Sequence, residues 1–329
     1  MQIKNIICAG CVVGAERRYF IICEKGYNFM NNLNIEILKE FGINEIESIQ
    51  NASVSERESR YVNSKYFLKK FTDFDDLEKM LFINTELYQA GIPVAKYYKT
   101  NARKSYVEIN NEYYTLAEKI SGSHDECEIE AFVLGQNIAK LHIALIQLSD
   151  KSPYPKVNKN EMNMLKNWAV NVISEKKLAI RKEIIDYCIN FDELYNSLPR
   201  QLIHNDLHRW KVLFENGEVK AFLDLEILQA EARLMDICYF MDAELDRTDN
   251  IKWFEILKSL LSGYNTVSEL KEAEFYAVPY MFIMINLNAI ASLSNTGILN
   301  QIDKMIENVN WFYDNKNKFS FSKKDIIQE

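Results

Sequence analysis

The stretch from His204 to Glu226 constrains this chain more than any other part of it. Its centre is Asn216-Gly217, the dipeptide best suited to a two-residue type I′ turn, because both central positions need positive φ. Alternating apolar residues flank the turn. The segment therefore predicts a β-hairpin with one acid before its first strand, Asp206, and one at the end of its second, Asp224. An ideal turn sets Glu215 opposite Glu218, Phe214 opposite Val219, Val212 opposite Ala221 and Lys211 opposite Phe222, with Asp224 across from Arg209. Residues two apart share a face, so Lys211, Phe222 and Asp224 are expected on one side, with Asp206 and Asp224 in a single site. Two carboxylates so placed suit phosphoryl transfer, one receiving a hydroxyl proton and one holding a metal ion. The plainer alternative makes Asp206 a turn cap and Asp224 an exposed strand residue. A carboxylate among Phe222, Leu223 and Leu225 argues against it, because it needs a partner.

A chain of 329 residues, 48% apolar and 26% charged, is long enough for two lobes with separate cores. Its net charge of -8 provides no basic surface for nucleic acid or anionic membrane, and suits a cationic substrate. Six scattered cysteines read as reduced, cytoplasmic thiols, and Cys8 and Cys11 lack the second pair that a zinc site requires. The apolar run Ile6 to Ala15 is too short to span a membrane, and no other run reaches that length. Residues 1–30 are expected to be an extension of uncertain status, a strand or a segment upstream of a start at Met30.

Residues 31–120 read as a β-rich first lobe. A short helix from Asn34 to Phe41 stops at Gly42, and extended segments follow at Ile46 to Ser53 and Tyr61 to Phe71, separated by the polar turn Ser55 to Ser59. A second helix runs from Asp73 to Ala90 and stops at Gly91, and a hairpin turns at Asn110-Asn111. Residues 121–329 carry the catalytic loop and metal motif within long helices: Glu128 to Leu148, Lys159 to Ile173, Leu178 to Ser197, Ile251 to Ser262, Val267 to Leu293 and Leu299 to Tyr313. The fold class is α+β.

Four stretches in order, LGQNIAKLH from Leu134, HNDLHRWKVLF from His204, LDLE from Leu223 and RLMD from Arg233, resemble the aminoglycoside phosphotransferase and choline kinase superfamily. Within it they resemble the spore-coat kinase-like and homoserine-kinase-like branches. The resemblance implies a bilobal protein-kinase-like fold with a hinge at Glu118 to Gly122, and transfer of phosphate from ATP or GTP, with Mg2+, to a hydroxyl of a small molecule or peptide. It makes Asp206 the catalytic base, Asp224 the magnesium ligand and Lys69, in preference to Lys70, the lysine on the α and β phosphates. Glu78, or Glu86 two turns later, becomes the partner of Lys69, and Glu118 a nucleotide-binding hinge residue. His208 is a candidate for phosphate or substrate contact, and Glu226 for a second metal. Asp236 is expected to brace the catalytic loop, His142 to sit at a helix end and His204 behind the loop.

Two features depart from the family pattern. Lys211 stands five residues after Asp206, where the family has an Asn that ligates a second magnesium, and no glycine lies between Gly42 and Gly91 to form a phosphate-covering loop. Lys211 either supplies the second cation's charge, leaving a one-metal kinase, or blocks Asp224, leaving a pseudokinase that binds nucleotide or serves as a scaffold. Acids at Asp242, Glu244, Asp246 and Asp249, with Asp125, Glu126, Glu128 and Glu130, are candidates to line an amine pocket.

Overall fold

The computed structural model describes residues 32–52, 58–124, 130–149, 161–245, 249–298 and 300–319. The N-terminal extension with Cys8 and Cys11, and Ser55 to Arg57 of the expected polar turn, lie outside them. The chain divides into two compact units, one within Phe20–Glu126 together with Trp210–Glu226, the other within Cys127–Arg209 and Ile227–Glu329.

In the first unit α1 (Asn32–Glu40) precedes an antiparallel sheet of β1 (Ile49–Asn51), β2 (Ser59–Val62), β3 (Tyr66–Phe71), β4 (Val107–Ile109) and β5 (Glu112–Glu118), ordered β1-β2-β3-β5-β4. The extended segment expected from Tyr61 to Phe71 is two strands, because the chain reverses at Asn63 and Ser64, with φ of 51° and 52°. Asparagine tolerates that region, and its amide satisfies nearby backbone: Asn63 Oδ1 accepts from Glu47 N at 2.8 Å, and Nδ2 donates to Glu45 O at 2.7 Å. The turn residues Asn110 and Asn111, at φ of 54° and 61°, carry the expected β4-β5 hairpin. Helix α2 (Phe74–Gln89) begins where the Asp73 carboxylate accepts from Asp76 N at 2.9 Å. It ends before Gly91 at φ 76° and buries Leu77, Met80, Ile83 and Leu87.

The hairpin β7 (Val212–Glu215) and β8 (Glu218–Phe222) also belongs to this unit, although the sequence boundary at residue 121 groups it with the helices. Its backbone shows why. Ser123 and Phe214 exchange two hydrogen bonds of 2.8 Å, and Phe222 N donates to Pro93 O at 2.8 Å. Gly122, at φ 145°, is needed for that approach, since a Cβ there would meet Phe214 O at 2.7 Å.

The second unit consists of α3 (Ala131–Ser149), α4 (Glu161–Glu175), α5 (Lys182–Ile189), α6 (Asp192–Ser197), α7 (Leu234–Glu244), α8 (Asn250–Val267), α9 (Glu272–Thr296) and α10 (Ile302–Asp314). A two-stranded antiparallel ladder of β6 (Arg200–Ile203) and β9 (Gln229–Ala232) lies among them. The helix expected from Leu178 to Ser197 is two, broken at Asn190 and Phe191. Helix α7 buries eight of its eleven residues, so its sequence shows little amphipathic period. Helices α3 and α9 do reach membrane-spanning length and hydropathy, contrary to expectation, but 94% of the α9 window is buried, which marks a core helix.

Helices α3 and α8 cross at backbone contact. A Cβ on Gly135 would lie 2.0 Å from Leu260 O, and one on Gly263 would lie 1.9 Å from Phe132 O. Glycine at both crossing points lets the two helices approach closely.

Candidate active site

The β7-β8 hairpin is not in the ideal register. It keeps Glu215 opposite Glu218 and Phe214 opposite Val219, with Asn216 and Gly217 both at positive φ, but the ladder shifts between Leu213 and Phe214. Beyond that bulge, Leu213 faces Ala221 and Val212 faces Phe222, so the expected pairing of Lys211 with Phe222 and of Arg209 with Asp224 is replaced. Leu223 N donates to Lys211 O at 2.8 Å, and Asp224 follows at φ 57°, a conformation an aspartate tolerates.

The shifted register still joins Lys211 and Asp224, with Nζ 2.6 Å from Oδ2. On the other side of the same carboxylate, Lys69 Nζ lies 3.5 Å from Oδ1 and also pairs with Glu226. Alternation on β3 sends Lys69 inward, 5% exposed, and leaves Lys70 at the rim with Glu58 and Glu112. A buried ammonium needs a carboxylate partner, and here Glu226 and Asp224 provide it in place of the expected Glu78. Glu78 is exposed because it falls off the Leu77-Met80-Asn84 face of α2, and Glu86 is only partly buried there. Glu118 ends β5, and its carboxylate accepts from Lys96 N at 2.9 Å.

Tyr97, not singled out by the sequence, stands by the same carboxylates. Burial first, then Glu226 and Asp224, push its phenol far up, so it stays neutral and able to donate. No local motif marks it; only the fold brings it to this place.

In the second unit, β6 leads into the loop of Asp206. Asn205 takes φ 66°, and its side chain donates to Gln229 Oε1 at 3.0 Å. Asp206 is 8% exposed, with His208 Nε2 3.8 Å from Oδ1. Asp236 is the brace expected of it: Oδ2 accepts from His204 N at 2.7 Å and Oδ1 from Asn205 N at 2.8 Å. His142 lies in mid-helix rather than at a helix end, its Nε2 2.9 Å from Asp236 Oδ2 and its Nδ1 2.9 Å from the Tyr264 hydroxyl. A carboxylate only accepts, so Nε2 carries a proton toward Asp236, and Nδ1 shares a hydrogen bond with the Tyr264 hydroxyl. The loop is thereby tied through three buried groups to α8. Tyr264→Phe is expected to cost about 1–2 kcal/mol, the value of a buried hydrogen bond whose remaining partner is left alone. A urea-unfolding midpoint equal to the parent's would count against that bond.

Three of the acids expected to line an amine pocket, Asp242, Glu244 and Asp249, have other work. Glu244 pairs with Arg209, whose Nε donates to Oε1 at 2.8 Å, and Asp242 accepts from Asn286 at 2.5 Å. Asp249 caps α8, accepting from Ile251 N and Lys252 N at 3.0 Å. Asp125, Glu126, Glu128 and Asp246 lie outside the described residues, as do the side-chain surroundings they would share with Glu130.

Among the described residues no three His, Cys, Asp or Glu are grouped to hold a metal ion. Magnesium does not need such a cage, since it takes one or two carboxylates and fills its other positions with phosphate oxygens and water. Asp224, its side chain 45% exposed, and Glu226 match that donor set. Lys211 does not, because an ammonium has no lone pair to give.

A family model described as the phosphotransferase enzyme family matches residues 48–270. The homoserine kinase of Methylobacillus flagellatus is 24% identical over 264 residues, covering 74% of this chain and 78% of that one. Of solved structures, an aminoglycoside phosphotransferase from Alicyclobacillus acidocaldarius superposes with a TM-score of 0.65 at 13% identity, covering 91% of this chain and 96% of that one. An amicoumacin kinase in complex with AMP-PNP, Ca2+ and Ami gives 0.59 at 16% identity, covering 83% and 88%. The α+β fold is therefore protein-kinase-like, as the motifs implied, and the chain belongs to the phosphotransferase enzyme family.

Proposed function

We propose that this protein transfers the terminal phosphoryl group of ATP or GTP to a hydroxyl of a small molecule or modified peptide, with a single magnesium ion. The observation that carries the reading is the convergence of the buried Lys69 on Asp224 and Glu226, with Lys211 on the other oxygen of Asp224. Homoserine kinase relatives, and solved neighbours whose complexes contain AMP-PNP or GDP, support a nucleotide donor and a small acceptor.

In this reading Lys69 donates to the α and β phosphates, and Asp224 with Glu226 holds the cation, which when bound offsets phosphate charge. Asp206, in the loop that Asp236 fixes, takes the proton of the acceptor hydroxyl as its oxygen bonds to the γ phosphorus and the bond to the β–γ bridging oxygen breaks. His208 is placed to contact the acceptor or a phosphate, and Glu118 the nucleotide at the hinge. The free, buried thiols of Cys188 and Cys238 suit a cytoplasmic setting.

The test is phosphate transfer by the purified chain from ATP and GTP, with magnesium or manganese, to a library of hydroxyl compounds that includes homoserine and amino sugars. Transfer to at least one acceptor, lost in Asp224→Ala, is expected. No transfer to any acceptor, together with nucleotide binding indifferent to magnesium, would replace this reading with a pseudokinase in which Lys211 holds Asp224 shut.

A further inference from the structure

Both oxygens of Asp224 face an ammonium: Oδ2 has Lys211 Nζ at 2.6 Å, and Oδ1 has Lys69 Nζ at 3.5 Å, while Lys69 also pairs with Glu226. The ammonium groups of Lys69 and Lys211 offset the charge of the Asp224 and Glu226 carboxylates. A divalent cation approaching alone meets a carboxylate already countered, and to reach Asp224 it must displace a lysine from a direct ion pair. A nucleotide changes both terms, because its phosphates bring several negative charges and offer Lys211 new acceptors for its three N–H groups.

We propose that Lys211 is a built-in counter-cation that makes metal binding at Asp224 conditional on nucleotide. Without nucleotide, Lys211 occupies the metal-ligand carboxylate. With nucleotide, it moves to phosphate oxygen, frees Asp224 for one divalent ion and stands where a second ion's charge would otherwise be needed. The position supports this role: residue 211 is anchored by the backbone bond from Leu223 N, and its side chain is 16% exposed, so it reaches the carboxylate from a fixed base. Arginine would keep the charge, methionine would remove it at similar length, and asparagine would replace it with a metal ligand.

The inference rests on the phosphotransferase reading for the identity of the nucleotide, yet its test needs no transfer. Mn2+ binding to the full chain is measured by the paramagnetic resonance signal of the free ion, with and without AMP-PNP. The parent should bind Mn2+ weakly alone and one ion per chain with AMP-PNP. Lys211→Met should bind Mn2+ without nucleotide at least roughly tenfold more tightly than the parent, the lower end of what removing a cation at direct contact gives. Lys211→Arg should match the parent, and Lys211→Asn should admit a second ion with AMP-PNP. Circular dichroism of each variant verifies that it is folded.

Equal nucleotide-free Mn2+ affinity in parent and Lys211→Met would overturn the proposal, as would two ions on the parent with AMP-PNP or no Mn2+ binding by any form. If instead Lys211→Met gains nucleotide-free affinity but no form transfers phosphate, the counter-cation role stands and the kinase reading fails.

Discussion

Gly263→Ala is expected to destabilise the helical unit by roughly 3 kcal/mol, the upper end of the usual cost of overpacking a close-packed interior. The added methyl would lie 1.9 Å from Phe132 O, and the atom it meets is backbone, which cannot rotate away as a side chain can. Relief requires α3 and α8 to move apart along their crossing, and the gain in helix propensity of about 1 kcal/mol offsets only part of that. For a unit of this size the loss corresponds to a fall of about 6–12 °C in Tm. Gly135→Ala should act similarly, its methyl 2.0 Å from Leu260 O. Gly91→Ala is the control, since its Cβ has open space and the φ of 76° alone costs about 1–2 kcal/mol. Calorimetry showing Gly263→Ala no worse than Gly91→Ala would mean that the helices do not cross at backbone contact.

Asp206→Asn should reduce kcat by about 10^2–10^4, the range for loss of a positioned general base, while nucleotide affinity changes little. The substitution preserves shape at a site 8% exposed, and the Asp236 acceptors that hold the preceding amides are untouched. Single-turnover rates beside nucleotide titration separate the two effects. A variant that transfers phosphate at the parent rate would remove Asp206 from the mechanism.

Much of the fold could be read locally. Asp73 and Gly91 bound α2, and Asn110-Asn111 and Asn216-Gly217 mark their hairpins, because each feature depends on backbone preference or a nearby cap. Features set by distant partners could not. Helix α7 exposes only a narrow strip, β9 needs β6 to make it a strand, and Gly135 explains itself only beside residues 125 to 129 positions further on. Within the candidate site, the motif singled out Asp206, Asp224 and Lys211 and the family resemblance favoured Lys69 over Lys70, but the partner of Lys69 lies elsewhere than expected. A helix position was expected to supply it, whereas Glu226, two residues after Asp224, reaches it through the turn that follows β8. Tyr97 had no signal at all.

The bulge between Leu213 and Phe214 means that β8 carries one residue more than an ideal ladder would use, with Lys220 between the partners of those two positions. Deleting that residue would leave Leu213 opposite Ala221 and Val212 opposite Phe222 in a straight ladder, whereas closing the ladder with the residue kept would slide the strand bearing Lys211 by one step against the strand bearing Asp224. Because side chains alternate across a strand, such a slide reverses which of them face a given side. The extra residue thus keeps the pairing in which Lys211 Nζ meets the Asp224 carboxylate.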